Sequence, residues 1–151
     1  MKLLVSACLL GVSCRYDGKN NTLPQLKQLL KEHTCIPVCP EQLGGLPTPR
    51  PSAERKGERV ITRDGEDVTE AFVRGTAEVL RLAELYRCRH ALLKERSPSC
   101  GCGQIYDGTF TGTLTEGDGM TAQMLKRQKV KIYGESEISE LVREIPFFFS
   151  I

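Results

Sequence analysis

The sequence has no excess of charge of one sign and no long apolar run. Its 151 residues carry a formal net charge of +2, which is too small to favour a nucleic acid or an anionic membrane as a partner. No basic run with interleaved aromatic residues supports an association with RNA or DNA. No apolar segment approaches the roughly 20 residues that a membrane-spanning helix needs. We therefore expect neither a nucleic-acid partner nor a membrane partner.

The cysteines show no disulfide pattern. They are odd in number and lack the density of small secreted scaffolds. The apolar residues 1–11 run into a turn-rich segment without an evident cleavage site, so we interpret them as a core strand and loop rather than a signal peptide. These features predict a protein of the reducing cytoplasm, where clustered cysteines more often serve metal binding or catalysis. The seven are Cys8, Cys14, Cys35, Cys39, Cys88, Cys100 and Cys102.

Length and composition favour one globular domain. The chain is long enough for one substantial core but not for two, so we expect residues 1–151 to form a single domain. Apolar residues make up 40% of the chain and charged residues 26%, as in ordinary globular proteins.

Short apolar runs alternate with helical patterns along the chain. The runs at residues 2–7, 35–38, 89–95 and 130–133 predict four strands, and helices are expected from about residues 24, 67, 119 and 137. Residues 59–65 and 105–112 predict excursions outside the main sheet, and the Gly- and Pro-rich residues 42–51 predict an irregular functional loop. This order predicts a three-layer α/β/α fold with a mostly parallel, Rossmann-like central sheet.

Three cysteines directly follow predicted strands. Cys8, Cys39 and Cys100 each lie just past a predicted carboxyl end, where open parallel sheets place their ligand crevice. Pro98 and Gly101 restrict the loop around Cys100, so its thiol should be held in a fixed direction. We therefore expect three thiols that are distant in the chain to meet at one sheet edge.

The spacing of the cysteines does not decide which metal they would bind. Thiolates hold iron–sulfur clusters, and a four-iron cluster with three cysteine ligands leaves one iron open to substrate. Structural zinc normally shows paired ligands, whereas only Cys100 and Cys102 are closely spaced here. The two histidines, His33 and His90, lie in helix and strand contexts. Cys14 and Cys102 are alternative ligands on these grounds.

Several segments are similar to the motifs of a known family. They are residues 6–11 (SACLLG), 14–18 (CRYDG), 39–50 (CPEQLGGLPTPR), 93–95 (LKE), 97–101 (SPSCG) and 105–108 (IYDG). Together they resemble a family first described as a domain of unknown function, DUF523, which includes thiouracil desulfidase. The resemblance extends over nearly the whole chain.

The resemblance implies a four-iron four-sulfur (4Fe–4S) cluster on Cys8, Cys39 and Cys100. It also implies a non-redox desulfidase, in which the open iron takes sulfur from a thionated nucleobase such as thiouracil, or from a related small thioamide. The sulfur leaves as sulfide and water supplies the replacing oxygen. By motif position, Glu41 matches an acid/base carboxylate and Ser97 a polar group that orients substrate or water.

A second interpretation is a module without turnover. The same thiols would then hold zinc or an iron–sulfur cluster for stability, or would sense redox state. An open metal position beside a substrate-sized pocket would favour the enzyme, and four protein ligands around the metal would favour the module. For the enzyme we expect a small thionated substrate, and a monomer or small homo-oligomer.

Overall fold

The computed structural model describes residues 1–145. In chain order its helices and strands are β1 (Lys2–Ser6), α1 (Leu26–Glu32), β2 (Thr34–Val38), α2 (Pro40–Leu43), β3 (Ala53–Lys56), β4 (Arg59–Thr62), α3 (Thr69–Leu85), β5 (His90–Leu93), β6 (Gln104–Tyr106), β7 (Leu114–Glu116), α4 (Met120–Arg127), β8 (Lys131–Gly134) and α5 (Ile138–Glu144). Two short 3₁₀ helices follow β1 and β8, at Ala7–Leu10 and Glu135–Glu137.

The centre of the fold is a four-stranded sheet in the order β2-β1-β5-β8. Every neighbouring pair in it is parallel. Each strand pair is therefore joined by a crossover that covers one face of the sheet. The apolar runs of the sequence predict these strands because strands buried on both faces have no polar alternation.

Helices cover both faces of the sheet. Side chains of a strand alternate between its two faces, so Leu3 and Val5 pack into one apolar cluster while Leu4 packs into another. The first cluster includes buried residues of α1 and α5, and the second includes buried residues of α3 and α4. The predicted three-layer fold with a parallel central sheet is confirmed.

Two antiparallel hairpins lie outside the main sheet. One is β3–β4 and the other is β6–β7, at the two excursions that the turn-rich segments predict. No helix within residues 1–145 has the length and apolar character to cross a membrane.

The sequence-based element boundaries are wrong at two positions that matter for the site. The predicted irregular loop at residues 42–51 begins inside α2, because Pro40 starts a helical turn after the extended residue Cys39. The predicted strand at residues 89–95 ends at Leu93. There the Lys94 N–H donates to the Ser6 side chain, Oγ at 2.9 Å, instead of to a neighbouring strand.

Helix α2 packs against α3 with their backbones in contact. A Cβ atom added to Gly75 would lie 1.7 Å from the Pro40 carbonyl oxygen, and one added to Gly44 would lie 1.9 Å from the Ala71 oxygen. Only glycine permits such an approach. The contact fixes α2, which carries Glu41, relative to the longest helix of the protein.

Candidate active site

A pocket of about 350 Å³ opens at the carboxyl ends of β1, β2 and β5. Cys8 lies on the 3₁₀ turn after β1, Cys39 directly follows β2, and Cys100 lies in the loop after β5. All three line the pocket, and the sulfur of Cys100 is close enough to those of Cys8 and Cys39 for electrostatic interaction. The structure therefore brings together the three thiols that the strand ends predict.

The two alternative cysteine ligands occupy different places. Cys14 lines the pocket and its thiol is hydrogen-bonded to the thiols of both Cys8 and Cys39. The Cys39 thiol in turn lies 3.9 Å from the Cys14 carbonyl oxygen. Cys102 does not line the pocket, and its thiol contacts Lys126. Of the two, only Cys14 is placed to act with the other three thiols.

The Cys14 thiol makes the thiols of Cys8 and Cys39 more acidic. Its side chain lowers the pKa of Cys8 to about 7 and the pKa of Cys39 to about 7, although burial acts in the opposite direction. The pKa of Cys14 itself is raised, first by its hydrogen bond to Cys39 and then by the one to Cys8. Cys14 thus keeps its proton, which can stabilise a thiolate on either neighbour.

Burial dominates at Cys100. It raises the pKa of this thiol to about 12, while hydrogen bonds from Ser6 and Ser99 act to lower it. A thiol in such surroundings ionises only when a strong positive charge binds it. The Ser6 hydroxyl can donate to the resulting thiolate.

Asn21 contributes an unpaired donor beside Cys8. Arg15 Nη1 donates to Asn21 Oδ1 at 3.0 Å, which fixes the orientation of the amide. Its Nδ2 atom is buried without a hydrogen-bond partner, yet it lies near enough to the Cys8 thiol to lower the pKa of that thiol. A buried N–H that faces a cysteine sulfur suits an iron–sulfur site, where hydrogen bonds to sulfur tune the cluster.

The donor set of the pocket, thiols that follow three separate strands, is of the kind that holds iron–sulfur clusters. Within residues 1–145, no group of three or more His, Cys, Asp or Glu side chains is arranged to hold one metal ion. The closed four-ligand zinc site of the module interpretation is therefore not preformed there. A four-iron cluster is wider than one ion, so its cysteines surround a space rather than converge on a point.

Glu41 lies in the first turn of α2, with both carboxylate oxygens hydrogen-bonded. Oε1 accepts from Arg50 Nε at 3.1 Å and Oε2 accepts from Ser99 Oγ at 3.0 Å. The Arg50 side chain is only 5% exposed, and its Nη2 donates to the Cys14 carbonyl oxygen at 2.9 Å. Arg50 thus connects the Gly- and Pro-rich segment to both the carboxylate and the cysteine loop.

Ser97 lies at the start of the loop that carries Cys100. Its Oγ accepts from the Cys100 N–H at 2.8 Å and from the Ser99 N–H at 3.2 Å. The Ser97 and Ser99 hydroxyl oxygens are 3.1 Å apart. The structure therefore joins Glu41 and Ser97 through Ser99.

Three residues of the site do not follow from the sequence alone. In the sequence, Ser99 and Asn21 resemble ordinary turn residues. The one signal for Ser99 is its position between Ser97 and Cys100. From the sequence, Arg50 is interpreted as a residue that anchors its loop. In the structure its side chain donates to the Glu41 carboxylate. Two aromatic residues, Tyr16 and Tyr106, also line the pocket.

Fold and site together define an α/β protein with a group of thiols beside a carboxylate, at the carboxyl edge of a parallel sheet. Residues 3–137 match the family model of 2-thiouracil desulfurase. The chain belongs to this family, which confirms the resemblance seen in its motifs.

Two relatives extend this finding. The chain is 39% identical over 150 residues to the uncharacterized protein YbbK of Bacillus subtilis (strain 168), covering 93% of this chain and 99% of that protein. It also matches a solved structure described as the 4Fe-4S-dependent thiouracil desulfidase TudS, with a TM-score of 0.90 and 46% identity. That match covers 94% of this chain and 95% of the other.

Proposed function

We propose that this protein is a 4Fe–4S-dependent desulfidase that removes sulfur from a thionated nucleobase such as thiouracil, or from a related small thioamide. The single observation that carries the proposal is one pocket in which three thiols lie beside a carboxylate, in a chain of the 2-thiouracil desulfurase family. The net reaction replaces C=S by C=O and converts water to hydrogen sulfide. No electrons are gained or lost, so no redox partner is required.

Cys8, Cys39 and Cys100 would hold the cluster. When bound through three cysteines, the cluster supplies one iron without a protein ligand, which acts as a Lewis acid toward the leaving sulfur. The three ligands come from three separate strand ends of the sheet. The Cys14 thiol keeps its proton and lies within hydrogen-bond reach of two of them, so we assign it as a neighbour of the ligand set rather than as a member.

Glu41 would carry the proton transfers of the reaction. Its carboxylate takes a proton from the attacking water and returns it to the departing sulfur. Arg50 fixes the carboxylate and balances part of its charge. Ser97 orients the substrate or the water from the neighbouring loop, and its own hydroxyl is fixed by two backbone N–H groups.

The pocket suits a small planar substrate. Its volume of about 350 Å³ lies at the small end of the range for ligand sites. The rings of Tyr16 and Tyr106 would contact a flat heterocycle. A thionated nucleobase combines that shape with the soft sulfur atom that iron binds.

The setting proposed for this enzyme is the reducing cytoplasm. All seven cysteines are free, which suits an environment that keeps thiols available for the cluster. We also propose that residues 1–151 are one domain, because β1 and β8 belong to the same sheet. The active form would be a monomer or small homo-oligomer without a nucleic-acid or membrane partner.

The proposal is tested by anaerobic reconstitution followed by sulfide release from thiouracil. Wild type should bind about four irons per chain with equivalent acid-labile sulfide. Cys8→Ala, Cys39→Ala and Cys100→Ala should each lose the iron and the activity. Cys35→Ala, which alters a half-buried thiol outside the pocket, should keep both.

The possible results separate the enzyme from the module. Iron bound with sulfide released supports the desulfidase. If iron is bound but no sulfide is released from any thionated base, the cluster assignment stands and the proposed substrate class is contradicted. Zinc retained in place of iron after anaerobic reconstitution would favour the module without turnover.

A further inference from the structure

Ser99 lies between the two residues proposed to act on substrate. It is 2% exposed, and its hydroxyl oxygen is 3.0 Å from Glu41 Oε2 and 3.1 Å from Ser97 Oγ. The Cys100 sulfur is a more distant neighbour at 3.7 Å. A single buried hydroxyl thus connects a carboxylate on α2 with a serine on the loop after β5.

Without substrate in the pocket, one arrangement of donors and acceptors satisfies this series of hydrogen bonds. A hydroxyl has one proton and two acceptor sites. Both acceptor sites of Ser97 Oγ are filled by backbone N–H groups, those of Ser99 and Cys100. Ser97 therefore donates its proton, and the hydroxyl within reach is that of Ser99.

The same reasoning identifies the group that accepts the Ser99 hydroxyl proton. Its oxygen accepts from Ser97, so its own proton goes to Glu41 or to the Cys100 sulfur. An ionised carboxylate at 3.0 Å is the stronger acceptor than a thiol at 3.7 Å. Hydrogen bonds therefore run in one direction, from Ser97 through Ser99 to Glu41.

The surrounding fold fixes two members of this series of hydrogen bonds, Glu41 and Ser99. Arg50 Nε holds the other carboxylate oxygen of Glu41 at 3.1 Å. The Ser99 carbonyl accepts from Thr121 N at 2.9 Å and Ala122 N at 3.1 Å, in the first turn of α4. Ser99 is thus anchored by a helix that does not itself line the pocket.

We propose that Ser99 is a positioning residue for the desulfidase reaction, holding the Glu41 carboxylate and the Ser97 hydroxyl as one hydrogen-bonded unit. This inference rests on the function proposed above. Without the Ser99 hydroxyl, Glu41 Oε2 loses a charge-assisted hydrogen bond and the Ser97 proton loses its acceptor. Both groups would then adopt several orientations, and few of them would suit the reaction.

Steady-state kinetics of Ser99→Ala with thiouracil tests the proposal. We expect kcat to fall about 10–100-fold, as for other residues that orient a site through a second layer of contacts, with KM changed far less. Iron content should stay at the wild-type level. Ser99→Thr, which keeps the hydroxyl, should recover most of kcat.

Tyr133→Phe is the matched control. It removes a buried hydroxyl that also donates to a carboxylate, that of Glu144, outside the pocket. Its kcat should equal that of wild type, although its stability falls. A Ser99→Ala protein with wild-type kcat, or with KM alone increased, would overturn the proposal.

A double mutant tests whether the two serines act as a unit. The loss in free energy for Ser97→Ala/Ser99→Ala should be smaller than the sum of the two single losses, because each single change already removes the hydrogen bond between the two hydroxyls. Full additivity of the two losses in free energy would contradict a common unit.

Crystal structures of cluster-free wild type and Ser99→Ala separate this inference from the proposed function. In the variant the Glu41 carboxylate should leave its single position or occupy several. An unchanged Glu41 would overturn the positioning role, whether or not wild type releases sulfide. Failure of wild type to release sulfide from thionated bases would instead refute the proposed function, while the position of Glu41 still decides the structural claim.

Discussion

At the scale of single residues, the chemistry of the pocket depends on which thiol keeps its proton. Four thiols lie at one sheet edge, and four thiolates there would repel one another. Cys14 reduces this repulsion because its raised pKa keeps it protonated, and its one proton can be donated to either neighbouring thiolate. It thereby prepares Cys8 and Cys39 as metal ligands without having to bind metal itself.

Removing the Cys14 thiol should make Cys39 less reactive. In cluster-free Cys14→Ala, the pKa of Cys39 should increase from about 7, because its main stabilising hydrogen bond is lost and burial then dominates. Alkylation of Cys39 at pH 7 should slow by at least about tenfold, because the thiolate fraction falls. Mass spectrometry of the Cys39 peptide under anaerobic conditions measures the rate.

The control for this prediction is Cys102→Ala, whose thiol does not line the pocket. It should leave the alkylation rate of Cys39 unchanged. An equal or faster rate in Cys14→Ala would show that Cys14 does not acidify its neighbour.

The sequence predicts the thiols of the site better than their polar neighbours. Cys8, Cys39 and Cys100 follow strands whose apolar runs are easily recognised, and parallel strands gather their carboxyl ends by geometry. The Glu41 partner of Ser99 lies on α2, and the Cys8 partner of Asn21 lies on the 3₁₀ turn after β1. Such contacts depend on tertiary packing, which neither periodicity nor spacing encodes.

At the scale of helices and strands, the position of Glu41 depends on the contact between α2 and α3. Helix α2 has only four residues and would not be stable alone. It is held by the close approach of its backbone to α3 at Gly44 and Gly75. The prediction of an irregular loop at residues 42–51 did not identify α2, because a single helical turn has no periodic pattern.

Gly75→Ala should therefore disturb the site from outside it. The added methyl group would overlap the Pro40 carbonyl oxygen, at 1.7 Å, and push α2 away from α3. We expect the free energy of unfolding to fall by about 1–3 kcal/mol. Sulfide release should fall as well, because Glu41 moves with α2. Urea unfolding and the activity assay measure the two effects.

Ala77→Ser provides the comparison on the same helix. It adds one heavy atom at an exposed position and should change stability by less than about 0.5 kcal/mol. If Gly75→Ala were as stable and active as Ala77→Ser, backbone contact would not be what positions α2.

At the scale of the whole molecule, the ionisation of the cysteines couples the site to folding. A thiol whose pKa is lowered in the folded protein stabilises it above the pKa of the unfolded chain, and this contribution is lost as pH falls through the folded value. The pKa values of Cys8 and Cys39 are lowered from 9.0 to about 7. A thiol whose pKa is raised has the opposite effect above pH 9, as at Cys14 and Cys100.

The cluster-free protein should therefore become more stable as pH increases from about 7 to 9, and less stable above that. The increase arises because the unfolded chain keeps protons on Cys8 and Cys39 that the folded chain has released. Anaerobic urea unfolding at a series of pH values measures it. Cys14→Ala should reduce the increase, because the hydrogen bond to Cys14 is the largest cause of each lowered pKa. A wild-type stability that is constant or decreasing between pH 7 and 9 would contradict the lowered pKa values of Cys8 and Cys39.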